Sequence, residues 1–185
     1  TTPVTLNRTT NVMENEFIRV SFNHNGTFNV FDKETGKDYN NLGYFKDSGE
    51  IGNPWQHVAP EIDETFTTLG EQANISLLRQ GEFETTYKIT MRWELPEKRS
   101  FDEKSRSEHK LPVDIESLVT LRKGAKFVEI ETTINNRCED HYLQVAFPTN
   151  IKAEYADAQG QFDVVRRPIK APDYSLYDEP PMTEH

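Results

Sequence analysis

Carboxylates are the first residues in this chain whose spacing could carry chemistry. Asp47 and Glu50 flank Ser48-Gly49, and Glu61, Asp63 and Glu64 follow before the next apolar run. Two carboxylates held roughly 5–9 Å apart are the working part of most glycosidases, one protonating the leaving oxygen while the other attacks or activates water. Trp55 offers a flat face on which a sugar ring could stack, and His57 stands beside it. Spacing along the chain does not set separation in space, and an acidic, solvated loop explains the same residues. Asp47, Glu50, Trp55 and His57 are therefore candidate substrate-binding residues, and no residue is assigned a catalytic role.

Metal ligation has less support. His24, His57, His109 and His141 stand apart and His185 is terminal. None forms His-x-His, His-x-Asp or His-Glu-x-x-His, the compact spacings that place ligands on one ion. Glu139-Asp140-His141 is a weak cluster that a turn explains equally well, so no metal site is expected. Nucleophilic catalysis lacks a Gly-x-Ser-x-Gly elbow, and there is no glycine-rich phosphate loop. Cys138, the single cysteine, sits in a predicted turn beside Arg137 without a histidine-based constellation.

The elements that must hold these residues read as strands. From Phe83 to Leu95 the odd positions are Phe83, Thr85, Tyr87, Ile89, Met91, Trp93 and Leu95, and every even position is polar. Side chains on a strand alternate between faces, so this stretch predicts a long ribbon with one dry face and one wet face. Ile18, Val20 and Phe22 alternate in the same way, Asn23-His24-Asn25-Gly26 supplies a turn, and Phe28 and Val30 resume, which predicts a hairpin. A polar turn at Asp32–Lys37 leads into a short return through Tyr39, Leu42 and Tyr44. Lys46 to Thr65 breaks period and contains Gly49, Gly52, Asn53-Pro54 and Pro60, so it reads as a long loop, where function tends to sit on sheet scaffolds.

Asn74–Leu78 is a further strand candidate. Pro96 to Lys110 is charged and reads as an exposed, mobile connection. Strands over Val113–Leu121, Val128–Ile134 and Leu143–Phe147, joined by short turns, predict an antiparallel meander, and Phe162–Arg166 predicts one more strand. No stretch has the period of an amphipathic helix. The pattern predicts an all-β fold, a large antiparallel β-sandwich over residues 14–168, with an extended lead-in at 1–13 and an extended tail at 169–185. Pro180 to His185 closes no element, and a piece of a longer polypeptide is expected.

Composition sets outer limits. Thirty-one acids against 21 bases give a net charge of −10, which repels nucleic-acid phosphates and releases no counterions, so a nucleic-acid partner is not expected. No apolar run approaches the ~18 residues of a membrane span, and the N-terminus lacks the apolar core of a signal peptide. A lone thiol fits a reducing compartment, so a soluble, cytoplasmic location without a membrane partner is expected.

Several stretches in order resemble one family. Glu14-Asn15-Glu16-Phe17-Ile18-Arg19-Val20, then Asn25-Gly26-Thr27, then Phe31-Asp32-Lys33-Glu34-Thr35-Gly36 are similar to the opening hairpin of the β-rich region of glycoside hydrolase family 38, the α-mannosidases. Asp47-Ser48-Gly49-Glu50-Ile51-Gly52-Asn53-Pro54-Trp55 resembles the glycine- and acid-rich loop that follows, and Gln161-Phe162-Asp163-Val164-Val165-Arg166-Arg167-Pro168 resembles a later segment. The likeness covers roughly residues 11 to 185 and is nearest to bacterial members. It implies a supersandwich of the galactose mutarotase-like kind. It also implies a parent that cleaves α-mannosides with a zinc ion in a catalytic barrel, and the His-x-Asp pair that begins that zinc site is absent here. The expected partners are thus the catalytic domain of the same polypeptide and a mannoside. This chain is expected to be non-catalytic and to pack on the barrel, lending the Asp47–His57 loop to the sugar site. An independent carbohydrate-binding module is the alternative.

Overall fold

The structure is a computed structural model that describes residues 5–7, 11–52 and 57–170. Its first sheet forms from five strands in chain order: β1 (Thr5–Asn7), β2 (Val12–Glu14), β3 (Ile18–Phe22), β4 (Phe28–Asp32) and β5 (Lys37–Leu42), all antiparallel. The hairpin expected at β3–β4 is present, with Ile18, Val20 and Phe22 buried. Its turn closes through Gly26 at φ +85, a left-handed conformation that costs an L side chain about 1–2 kcal/mol. The stretch expected as a plain lead-in supplies β1 and β2, which extend the sheet beyond that hairpin.

The chain then makes β6 (Tyr44–Gly49), β7 (Phe66–Thr67) and a 3-10 turn at Thr68–Gly70. Next come β8 (Asn74–Gln80), β9 (Glu84–Pro96), β10 (Lys110–Arg122) and β11 (Glu129–Asn135), a four-stranded antiparallel sheet ordered β11-β10-β9-β8. The alternation in the long strand holds. Thr85, Tyr87, Ile89, Met91, Trp93 and Leu95 of β9 are buried, while Arg92 and Glu94 are exposed. Phe83 lies before the strand and is exposed.

These two sheets pack face to face as a β-sandwich. The Phe22 and Tyr87 rings lie 4.6 Å apart across the interface, and Met13, Val20 and Phe28 share one core with Ile89, Trp93, Val113 and Val119. Each such side chain contributes roughly 1.5–3 kcal/mol when fully withdrawn from water. Asn15 is buried and ties the layers together, its Nδ2 donating to the Arg122 and Ala125 carbonyls at 2.8 Å while its Oδ1 accepts the Phe17 and Ile18 amides.

Three expectations are corrected. Lys46–Gly49 is not loop but the last four residues of β6. The strand at β12 (His141–Ala146) does not complete a meander with β11; it pairs with β6, giving a three-stranded sheet ordered β12-β6-β7. Short connections favour neighbours, but β12 instead takes the edge of β6, which sets His141 against the buried Asp47. Third, Pro96–Lys110 is an ordered hairpin extension of β9 and β10, with a bridge between Arg99 and Arg106. The remaining strands, β13 (Tyr155–Gln159) and β14 (Val164–Pro168), form a separate antiparallel pair. No helix among the described residues is long and apolar enough to cross a membrane.

Candidate functional site

β6 places the candidate residues. Phe45 and Asp47 point to its inner side and Lys46 to solvent, so the period-2 rule that buries Phe45 also buries Asp47. Asp47 is fully buried at 0% exposure. A buried carboxylate needs partners, and two segments distant in sequence provide them. Arg106, from the charged hairpin, puts Nη2 2.5 Å from Asp47 Oδ1. His141, at the start of β12, donates from Nδ1 to Asp47 Oδ2 at 2.5 Å. Both partner side chains are only 5% exposed.

The Arg106–Asp47 contact is Coulombic rather than a directed hydrogen bond. Arg106 Nη1 and Nη2 and Asp47 Oδ1 have no aligned hydrogen-bond partner, although the charges are in contact. The guanidinium carbon also lies 5.4 Å from the centre of the Phe66 ring, whose face favours a cation. Cys138 packs nearby with Sγ 3.8 Å from the Leu95 carbonyl oxygen. Burial first, and the Asp47 charge second, push its thiol pKa up, so it is held as a thiol and is a poor nucleophile.

Glu50 and His57 form a second pair on the outside of the same corner. His57 Nδ1 contacts Glu50 Oε2, and Glu50 Oε1 accepts the Gly52 amide at 2.6 Å and the Val58 amide at 3.1 Å. Burial alone would raise the Glu50 carboxyl. The His57 contact and those two amides outweigh it and hold the group below its ordinary value. The His57 ring lies 4.9 Å from the ring of Tyr142, a half-exposed residue on β12. Together they present an imidazole and a phenol to solvent, groups able to hydrogen-bond and stack on a sugar.

The rest of the loop is tied to rigid elements. Gly49 donates its amide to Asp63 Oδ1 at 2.9 Å, Glu50 donates to the Asp140 carbonyl at 2.9 Å, Ile51 to the Val58 carbonyl at 2.8 Å, and Ile62 to the Lys104 carbonyl at 2.8 Å. Gly49 is required by closeness: a Cβ there would lie 2.6 Å from Pro60.

Of the four candidates, the structure thus separates two kinds. Asp47 faces the interior and Glu50 the outside, so they do not line one space as an acid pair. Glu50 and His57 meet directly, and Trp55 lies outside the described residues. Sequence reasoning missed Arg106 and Tyr142. Nothing distinguishes Arg106 from Lys104 in the run Lys104-Ser105-Arg106, because its burial depends on a partner 59 positions away by number. Tyr142 carried a readable signal, as the out-facing member of an alternating strand. Among the described residues no group of three or more His, Cys, Asp or Glu is placed to hold a metal ion. With Asp47 spent on Arg106 and His141 and no third ligand beside them among the described residues, this cluster does not fit the zinc ion that the resemblance implies for the parent's catalytic barrel.

Comparisons with known proteins place this geometry. The profile of the glycosyl hydrolases family 38 C-terminal domain matches residues 13–184. An alpha-mannosidase from Enterococcus faecalis V583 superposes at a TM-score of 0.86 with 33% identity, covering 94% of this chain and 21% of that one. A second family 38 protein from Enterococcus faecalis gives a TM-score of 0.86 and 32% identity, over 91% of this chain and 22% of that one. A putative mannosylglycerate hydrolase from Halalkalibacterium halodurans is 27% identical over 172 residues, 85% of this chain and 19% of that protein. The chain therefore spans about a fifth of the length of these relatives. It belongs to glycosyl hydrolase family 38 and corresponds to that family's C-terminal β-sandwich domain.

Proposed function

We propose that this domain serves a cytoplasmic enzyme that hydrolyses α-mannosides, packing on a catalytic domain elsewhere in the same polypeptide and itself breaking no bond. The observation that carries the reading is the close match of nearly the whole chain to about a fifth of an alpha-mannosidase. Zinc, if the parent uses it, belongs with that catalytic domain. The corner built by Glu50, His57 and Tyr142 is the part of this chain that reaches the sugar. Its side chains are solvent-facing, hydrogen-bonding and aromatic, while its backbone is pinned to β6, β12 and the 97–109 hairpin. Asp47 acts there only through position, holding the three segments together from inside.

The test is hydrolysis of an aryl α-mannoside by the polypeptide that carries this domain, and by residues 1–185 alone with zinc supplied. Turnover is expected from the first and none from the second. In the full polypeptide, His57→Ala is expected to raise KM several-fold with kcat little changed, the signature of lost uniform binding. Turnover that titrates with the pure 185-residue chain would sink the non-catalytic reading. Tight mannose binding by that chain, with unchanged kinetics for His57→Ala, would favour an independent carbohydrate-binding module instead.

A further inference from the structure

The two edges of the four-stranded sheet are treated differently. β8, at one edge, carries a register shift between Leu77 and Arg79. Such bulges twist an edge away from unwanted pairing. β11, at the other edge, pairs with β10 without any shift from Glu129 to Asn135, contains no proline, and turns no charge inward. Its inward residues are fixed by register: Ile130 stands opposite Val119, Thr132 opposite Ser117, and Ile134 opposite Ile115.

Among the described residues those inward positions are only partly covered. Val119 is 0% exposed, but its neighbour Ile130 is 39% exposed. The three-stranded sheet repeats the pattern. Phe45 on β6 is 4% exposed, whereas Val145, its partner on the edge strand β12, is 49% exposed. Between the two edge strands lies a cleft of about 270 Å³, lined by Ile130, Ile134, Leu143, Val145 and Phe147 with Phe45 at its floor. Core-facing side chains from both layers thus border an opening flanked by an unblunted strand edge.

We propose that this cleft is filled by a β-strand from outside residues 1–185 of the same polypeptide, paired along β11. Rows of free backbone groups beside an apolar trough favour strand addition, in which main-chain hydrogen bonds give affinity and alternate side chains fill the pocket. The source follows from length. About four-fifths of each matched relative lies outside the region this domain covers, so ample chain exists to supply the strand. The edge also sets its character. Residues facing in must be apolar to meet Ile130, Ile134 and Val145, and residues facing out lie beside Glu129 and Glu131, so basic or neutral side chains fit there. The identity of the polypeptide rests on the proposed function; the open edge does not.

The test places a cysteine at one cleft position at a time, Ile130→Cys or Val145→Cys, in the full polypeptide. Thiol labelling is followed by peptide mapping, with buried Cys138 as the internal reference. Labelling at both positions is expected to be about 100-fold slower in the native protein than in denaturant, independent of protein concentration. Labelling near the rate of a free thiol overturns the proposal, as does protection that grows with concentration, which would mean a second copy fills the cleft. A photo-crosslinking residue at Val145 is expected to capture a peptide beyond residues 1–185 of the same molecule, with alternating apolar positions. Capture of residues 171–185 or of another molecule overturns it. Hydrolysis of an aryl α-mannoside by the same variants separates the two readings. Protection without hydrolysis leaves the strand in place and removes the mannosidase, while hydrolysis with free labelling removes the strand alone.

Discussion

Asp47 sits in Asp47-Ser48-Gly49, residue types that favour turns, and its burial beside Arg106 and His141 reverses that reading. Removing one member of a dry ion pair strands the other. Asp47→Ala is expected to cost about 3–5 kcal/mol, because the Arg106 guanidinium stays buried without its counter-charge. Replacing both charges by apolar groups, Asp47→Leu with Arg106→Met, is expected to recover most of that loss. Denaturant midpoints of the three proteins check it, and a single variant costing under about 1 kcal/mol would show that the pair is wet. Glu50 makes a pH-dependent contribution of a determinate sign. Its folded pKa lies below the ordinary 4.5, so its stabilising contacts are complete above that value and are lost as pH falls through the lower folded value. Protection factors of the Gly52 and Val58 amides are expected to hold from neutral pH down to about 4.5 and to drop below it. Glu50→Gln should remove that acid dependence; an unchanged profile would show that the carboxylate does not hold the loop.

At the scale of the element, Gly26 and Gly36 allow a clean comparison. Both have positive φ, at +85 and +69. A Cβ on Gly26 would lie 2.6 Å from the Met91 methyl and 3.0 Å from Ala73, whereas Gly36 has nothing within 4 Å. Gly36→Ala is expected to cost about 1–2 kcal/mol from backbone conformation alone, and Gly26→Ala more, since the β3–β4 turn rests against β9. Equal midpoint shifts would mean that Met91 yields without cost. The same elements show what a sequence can and cannot convey. β3, β4, β9 and β10 were legible because one face of each is dry, and alternation records a dry face directly. The β12–β6 pairing was not, because periodicity says that a strand has an inner face and never which strand lies beside it. The 97–109 hairpin was hidden for a related reason: its charges looked solvated, and only Arg106 is drawn inside.

For the molecule as a whole, resemblance conveyed more than composition did. A net charge of −10 speaks to solubility and names no partner, while the ordered run of short motifs from Glu14 to Pro168 pointed to the family that the comparisons establish. The exposed half of the candidate site, Glu50 and His57, lay within reach of that reading. The buried half depends on three distant segments and could not be assembled from local pattern.

That long-range closure has a consequence for biosynthesis. β6 leaves the ribosome 94 residues ahead of the histidine that will pair with its aspartate. At roughly 5–20 residues per second, β7 reaches β6 within about 1–4 s, but Asp47 waits about 3–12 s for Arg106 and about 5–20 s for His141. During that window Asp47 stays hydrated and keeps the nascent β6 soluble. The charge that is costly to bury in the finished domain thus protects the half-made one from premature association.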